Sequence, residues 1–92
     1  MGNPITFNAK DSRYEQEHGG HIVYANTHTK DGVLYIDYVY APPELRGQGA
    51  AGCLMEALME HVRKEGMKAT PVCGYAAGWL KRHGEYADLT IT

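Results

Sequence analysis

The segment that most restricts what this chain can fold into is the glycine-rich hexapeptide Arg-Gly-Gln-Gly-Ala-Ala at 46–51. It follows a strand-like run that ends in the prolines at 42–43, and it precedes a run of apolar residues at helical spacing. In a strand–turn–helix order, glycines let backbone N–H groups approach a ligand, and the unpaired amides of the first helical turn point at it. The pattern therefore predicts an anion site with a diphosphate as its natural occupant, or else a tight connection with small residues for packing.

Spacing excludes two common phosphate-binding patterns. The turn lacks the three spaced glycines of a dinucleotide-binding fold, and 92 residues are too few to hold that fold. No Gly-Lys-Ser/Thr follows, so the turn is not a P-loop.

Length and composition indicate one small, soluble domain. Of 92 residues, 43% are hydrophobic and 22% charged, so we expect a single domain over 1–92 with 1–12 as a loose lead-in. The formal net charge is −2 and the basic residues are dispersed, which argues against nucleic acid as a partner. No apolar run approaches the roughly 18 residues of a membrane helix, and no apolar leader is visible, so we expect a cytoplasmic protein.

The two cysteines do not form a metal motif. Cys53 and Cys73 stand 20 positions apart, without a second cysteine or close histidine at ligand spacing, so no metal site is expected. A disulfide fits the count but not a cytosolic chain, and free thiols are the better interpretation. Cys53 falls beside the buried stripe of the predicted long helix, where a packing role is expected.

Turn residues divide the first half of the chain into strands. The glycines at 19–20 and the Lys-Asp-Gly at 30–32 are typical of hairpin turns. The runs around them are predicted strands, preceded by a short edge segment: 13–18, 21–28 and 33–41, with 5–7 before them. Three histidines on these strands are expected at the surface: His18, His21 and His28.

The run at 33–41 is the strongest strand. Strict alternation would place Leu34, Ile36, Tyr38 and Tyr40 on one face, and Val33, Tyr35, Asp37 and Val39 on the other. Because both faces are largely apolar, we expect a central strand that is covered on two sides.

The second half alternates helix and strand. Apolar spacing predicts a helix that runs from the glycine turn to about Glu65 and is capped by Gly66. A strand at 68–73 follows, and Pro71 restricts it to a sheet edge or a bulge. The last predictions are a short helix and a terminal strand or docking segment, at 75–83 and 89–92.

This order predicts an α+β domain, in which an antiparallel β-meander precedes helix, strand and helix. The crossover from strand 33–41 through the long helix to strand 68–73 should be a right-handed βαβ unit, so those strands should be parallel in a mixed sheet. Their C-terminal ends then meet at one edge. A crevice there, between the glycine turn and Cys73, could hold a ligand.

The segment Val-Tyr-Ala-Pro-Pro-Glu-Leu-Arg-Gly-Gln-Gly-Ala-Ala at 39–51 resembles the acetyl-CoA signature of the Gcn5-related N-acetyltransferases (GNAT). Their pattern, Gln/Arg-x-x-Gly-x-Gly/Ala, is met by Arg46, Gly49 and Ala51. Segments 71–75 and 81–89 are similar to the end of a compact, single-domain branch of that superfamily, so the resemblance covers about 13–89. It implies a GNAT-like fold that binds acetyl-CoA or CoA.

The resemblance also implies where the cofactor lies. Its diphosphate would rest on the amides of 46–51, and its pantetheine arm along the backbone of 39–41. Arg46 would be a cation near the phosphates or a solvated surface residue. The expected cofactor-binding residues are Val39, Ala41, Arg46, Gly47, Gln48, Gly49, Ala50 and Ala51.

Three side chains are candidates for the chemistry. In this branch the strand before the signature often carries a His and a Glu where this chain has Tyr38 and Tyr40. Phenols with an ordinary pKa near ~10 are poor bases, but a tyrosine could act as a general acid toward a leaving thiolate, or simply pack in the sheet. Cys73 could accept the acetyl group and pass it on, or only line the pocket.

Together these features predict an acetyl-CoA-dependent N-acetyltransferase. A backbone N–H in the gap between the parallel strands would polarise the thioester. The acceptor would be an unidentified amine of a small molecule or a protein, since the sequence does not name it. The alternative is a non-catalytic CoA-binding or protein-interaction module, which the missing His and Glu favour.

Overall fold

The computed structural model describes residues 3–91, so residues 1–2 of the predicted lead-in and residue 92 of the predicted tail lie outside the described residues. Five strands and two α-helices follow one another in the predicted order. They are β1 Ile5–Asn8, β2 Arg13–His18, β3 His21–Lys30, β4 Val33–Tyr40, α1 Ala50–Lys64, β5 Lys68–Pro71 and α2 Gly74–Arg82. Two short 3-10 segments accompany them, at Pro43–Leu45 and Gly84–Leu89.

The strands form one mixed sheet in the order β1-β2-β3-β4-β5. β1 to β4 are antiparallel neighbours, and β5 is parallel to β4, as the crossover through α1 predicts. The α+β prediction is therefore confirmed, and Pro71 lies on an edge strand as expected. Ile5–Asn8 pair with β2, so this part of the expected lead-in belongs to the sheet.

Both helices pack on one face of the sheet and share a single core. The apolar stripe of α1, with Leu54 and Leu58 fully buried, lies against Val23 of β3 and Leu34 of β4 within that core. Trp79 of α2 is 5% exposed and completes the layer, as expected for a helix that docks on the sheet. Within residues 3–91, neither helix is long and apolar enough to span a membrane.

β4 changes face halfway along its length. Ile36 pairs with Thr27 but Tyr38 pairs with Asn26, so Asp37 is an extra residue and forms a β-bulge. Before it, Ile36 is completely buried; after it, Tyr38 is 49% exposed. The side chain that turns toward the core after the bulge is Val39. The prediction of one face for Leu34, Ile36, Tyr38 and Tyr40 is thus wrong beyond Ile36, because strict alternation holds only without a bulge.

The second face of the sheet is open, so the expected cover on both sides of β4 is wrong. Tyr24, Tyr35 and Asp37 are half-buried there, and His28 is exposed. The aromatic rings shield one another instead of packing under a helix. The rings of Tyr24 and Tyr40 lie 5.1 Å apart, and those of His28 and Tyr35 stack at 4.6 Å. This contact between aromatic rings explains why the residues on both faces of β4 are largely apolar.

Candidate functional site

β4 and β5 separate at the bulge. Their pairing ends with Ile36 opposite Pro71, and the amides of Val72 and Cys73 both donate to the Ile36 carbonyl at 2.9 Å. β4 continues to Tyr40, paired only with β3. Within the described chain, the edge of residues 37–40 that faces β5 has no strand partner. That edge offers backbone donors and acceptors to a ligand.

The glycine turn follows β4 and lines the same cavity as this edge. Gly47 and Gly49 have φ of 81° and 79°, the left-handed region that favours glycine. Gly49 is the N-cap of α1, and the first intrahelical bond is from the Cys53 amide to the Gly49 carbonyl at 2.9 Å. The amides of residues 50–52 therefore have no acceptor within the helix. They form a cradle of N–H groups that suits an anion. Of the amides of 46–51 that were expected to hold the diphosphate, those of Arg46 and Gln48 instead donate to the carbonyls of Pro43 and Leu45 at 3.2 Å.

A cavity of about 320 Å³ joins the glycine turn to the free edge of β4. The phenols Tyr38 and Tyr40 contribute to its wall from the open face of the sheet. Seven predicted cofactor contacts also line it: Val39, Ala41, Arg46, Gly47, Gly49, Ala50 and Ala51. The structure thus brings these predicted residues together around one space.

Gln48 is the predicted contact that the structure does not place in this cavity. Its side-chain amide donates to the Glu44 carbonyl at 2.8 Å, and its backbone amide donates to the Leu45 carbonyl at 3.2 Å. Both groups are therefore used to hold the turn, and this geometry does not support a contact between Gln48 and the cofactor.

Three further residues line the cavity that sequence reasoning missed: Leu45, Gly52 and Tyr75. Tyr75 lies in the first turn of α2, and its hydroxyl would stand 3.8 Å from a Cβ placed on Gly52 of α1. The two helix starts therefore face each other across the cavity. The position of Tyr75 could be predicted in part from the sequence. Because β4 and β5 are parallel, the segment that follows β5 lies at the same edge of the sheet as the glycine turn.

Tyr75 has a shifted acidity. Its partial burial raises its pKa above the ordinary phenol value; the charge of the nearby Arg82 opposes this effect, and the electrostatic contribution of Cys73 adds to it. At neutral pH the Tyr75 phenol therefore keeps its proton. It can donate that proton but cannot accept one.

Arg46 is tied to the mouth of the cavity although it is exposed. Its Nε donates to the Ala41 carbonyl at 2.9 Å, and its guanidinium lies 5.8 Å from the ring centre of Tyr40. This anchoring keeps a positive charge beside the glycine turn.

Cys73 lies at the separation of β4 and β5 but is not part of the cavity wall. It is the N-cap of α2, half-buried, and packed partly against the core. Cys53 is half-buried on α1, and both thiols are free.

Comparison with known proteins identifies the family and the fold. Residues 7–89 match the profile of a family described as GCN5-related N-acetyl-transferase. The fold matches the NMR solution structure of a Staphylococcus aureus protein described as GCN5-like, with a TM-score of 0.75 and 20% identity. That match covers 99% of this chain and 90% of the other. Curated proteins give no significant match. The chain belongs to the GCN5-related N-acetyltransferase family.

Proposed function

We propose that this protein binds acetyl-CoA and transfers the acetyl group to an amine of a small molecule or a protein. The observation that carries the proposal is the continuity of the cavity. It begins at the free amides of α1 and follows the unpaired edge of β4 back to Tyr38, two residues beyond the last β4–β5 pair. An elongated ligand fits this cavity if its anionic end meets the amides of α1 and its amide-containing arm lies along the unpaired edge of β4.

The groups present suit such a ligand. The amides of 50–52 and the positive end of the α1 dipole would hold the diphosphate, with Arg46 beside it. The free edge of residues 37–40 would hydrogen-bond the pantetheine amides. Acetyl-CoA supplies an activated thioester, and the separation of the strands leaves room for a backbone N–H to polarise its carbonyl.

The tyrosines of the cavity supply the proton that a departing thiolate needs. Tyr38 and Tyr40 reach the cavity from the open face, and Tyr75 reaches it from α2. Of these, Tyr75 is the proposed donor, because it lines the cavity from α2 and its hydroxyl faces the start of α1.

Cys73 is the proposed acyl relay, and labelling tests it. A relay predicts that acetyl-CoA adds one acetyl mass to the protein, labile to hydroxylamine, and that Cys73→Ala abolishes the adduct. Cys53→Ala is the matched control and should keep it. A Cys73→Ala variant that forms no adduct but turns over normally would instead show direct attack by the amine.

The proposed function itself is tested by two measurements on the full chain. Calorimetry should detect CoA binding, and incubation of acetyl-CoA with a panel of amines should release CoA above the hydrolysis background. Binding without release would favour the non-catalytic module, for which Tyr38 and Tyr40 in place of His and Glu are the specific argument. Failure to bind CoA would overturn both.

A further inference from the structure

An ordered histidine–aspartate pair lies on the open face of the sheet. His28 Nδ1 is 2.7 Å from Asp37 Oδ2, and the imidazole stacks on the Tyr35 ring at 4.6 Å and 6°. A carboxylate only accepts hydrogen bonds, so Nδ1 carries the hydrogen, and Nε2, which has no hydrogen-bond partner among the described residues, is left as the acceptor of a neutral ring. The His28 side chain is 56% exposed, so substrate or solvent can reach that nitrogen.

The pair adjoins the cavity through Asp37, which directly precedes the lining residue Tyr38, although His28 and Asp37 are not themselves part of the wall. Asp37 is the bulge residue, and it directly follows Ile36, whose carbonyl receives the Cys73 amide at the separation of the strands. His28 is on the adjacent strand, and neighbouring strands are about 4.8 Å apart. Tyr38, the next residue after Asp37, lines the cavity. His28 pairs opposite Tyr35, so it lies one strand away from β4 and three residues before Tyr38 in register, and the Asp37 carboxylate joins it to the strand that lines the cavity.

We propose that His28, oriented by Asp37, is the proton acceptor for the incoming amine. This inference rests on the proposed acetyl transfer. An alkylammonium gives one proton to Nε2 of His28, and the neutral amine nitrogen forms its bond to the acetyl carbon as the carbon–sulfur bond breaks. As the amide forms, the nitrogen releases its second proton to water, Tyr75 protonates the departing thiolate, and the phenolate then takes a proton back from water. The imidazolium then returns its proton to water.

The other basic candidates are placed elsewhere. Tyr75 holds its proton, so it cannot serve as the acceptor. His61 pairs with Tyr14 on the helical side of the sheet, and His83 is stacked on Trp79 at 3.7 Å. The remaining two histidines flank the β2–β3 hairpin, paired opposite each other.

Replacement of His28 tests the proposal, with His21→Gln as the matched control on the same strand. In His28→Gln, turnover of an alkylamine should fall roughly a hundredfold, at the low end of what a positioned base contributes. CoA affinity measured by calorimetry should stay unchanged. An alkoxyamine is uncharged at neutral pH and needs no base, so with this acceptor the two variants should differ by only a few fold.

The tautomer of His28 provides a test that does not depend on enzyme activity. In the wild-type protein, ¹⁵N NMR of the imidazole should show the hydrogen on Nδ1 of His28, and Asp37→Asn should abolish that preference. A mixed tautomer in the wild type would overturn the proposal. So would an alkylamine turnover in His28→Gln equal to that of His21→Gln. A wild type that releases no CoA with any amine would instead overturn the proposed function, and this inference with it.

Discussion

The two halves of β4 contain similar residues but have different surroundings. Residues 33–36 are paired with β3 on one side and β5 on the other, and Leu34 and Ile36 are at most 1% exposed. Residues 38–40 are paired with β3 only and line the cavity. The change occurs at one extra residue, Asp37. A single strand can therefore belong to the core and to the site, with the bulge as the boundary between them.

The two halves of β4 also differ in what their backbone N–H and C=O groups bind. In the first half of β4 those groups are paired within the sheet, because unpaired groups in a buried position cost free energy. In the second half the edge toward β5 is accessible from the cavity, where water or a ligand can pair with it. Stability should therefore depend on the first half, and binding and catalysis on the second.

Replacing the core side chain of β4 should have the largest effect on stability. Ile36→Ala removes a fully buried side chain, so the free energy of unfolding should fall by about 2–5 kcal/mol. Tyr38→Ala, two positions along and 49% exposed, should cost less than about 1 kcal/mol. Urea unfolding measures both, and equal losses would contradict the division of β4 into two halves.

The glycine turn should control affinity. Gly49 and Gly32 have nearly the same φ, 79° and 78°, but Gly32 lies in the β3–β4 hairpin. A valine at either position is strained by roughly 1–2 kcal/mol. Only Gly49→Val also places bulk at the cradle of amides, so its CoA affinity should fall at least about tenfold by calorimetry, with a native circular dichroism spectrum.

Gly32→Val should bind CoA as the wild type does. A similar loss of affinity in both variants would show that backbone strain, and not the anion cradle, is responsible. Unchanged affinity in Gly49→Val would remove the turn from the site.

What the sequence predicts well in this chain is local or topological. The glycine turn and α1 follow from backbone chemistry within a few residues, and the parallel pairing of β4 and β5 follows from the crossover. The bulge at Asp37 could not be predicted, because it depends on the register between two strands rather than on either sequence. The pairing of His28 with Asp37 and the approach of Tyr75 to α1 depend on that same tertiary arrangement.

Two phenols, Tyr75 at 40% exposure and the buried Tyr86, distinguish the site from the core. Tyr75 faces the cavity, whereas Tyr86 is 3% exposed and donates to a Glu60 carboxylate oxygen at 2.8 Å. Tyr75→Phe should lower turnover about tenfold, as the loss of a proton donor predicts, and leave stability nearly unchanged. Tyr86→Phe should do the reverse, and cost about 1–3 kcal/mol of unfolding free energy. If Tyr86→Phe lost turnover while it remained fully folded, the assignment of Tyr86 to the core and Tyr75 to the site would be contradicted.

The smallest expected effect appears at alkaline pH. Burial, with the hydrogen bond to Glu60 and the charges of Glu60, Glu56 and Glu85, raises the pKa of Tyr86 to about 12. The folded state therefore favours the protonated phenol. Its contribution to stability is complete below the unfolded pKa of about 10 and is lost as the pH rises through the folded value. Urea unfolding between pH 9 and 12 should show a steeper decline in the wild type than in Tyr86→Phe. Glu60→Gln keeps a hydrogen-bond acceptor but removes one charge, so its decline should be intermediate, and a slope equal to the wild type would exclude the Glu60 charge as a cause.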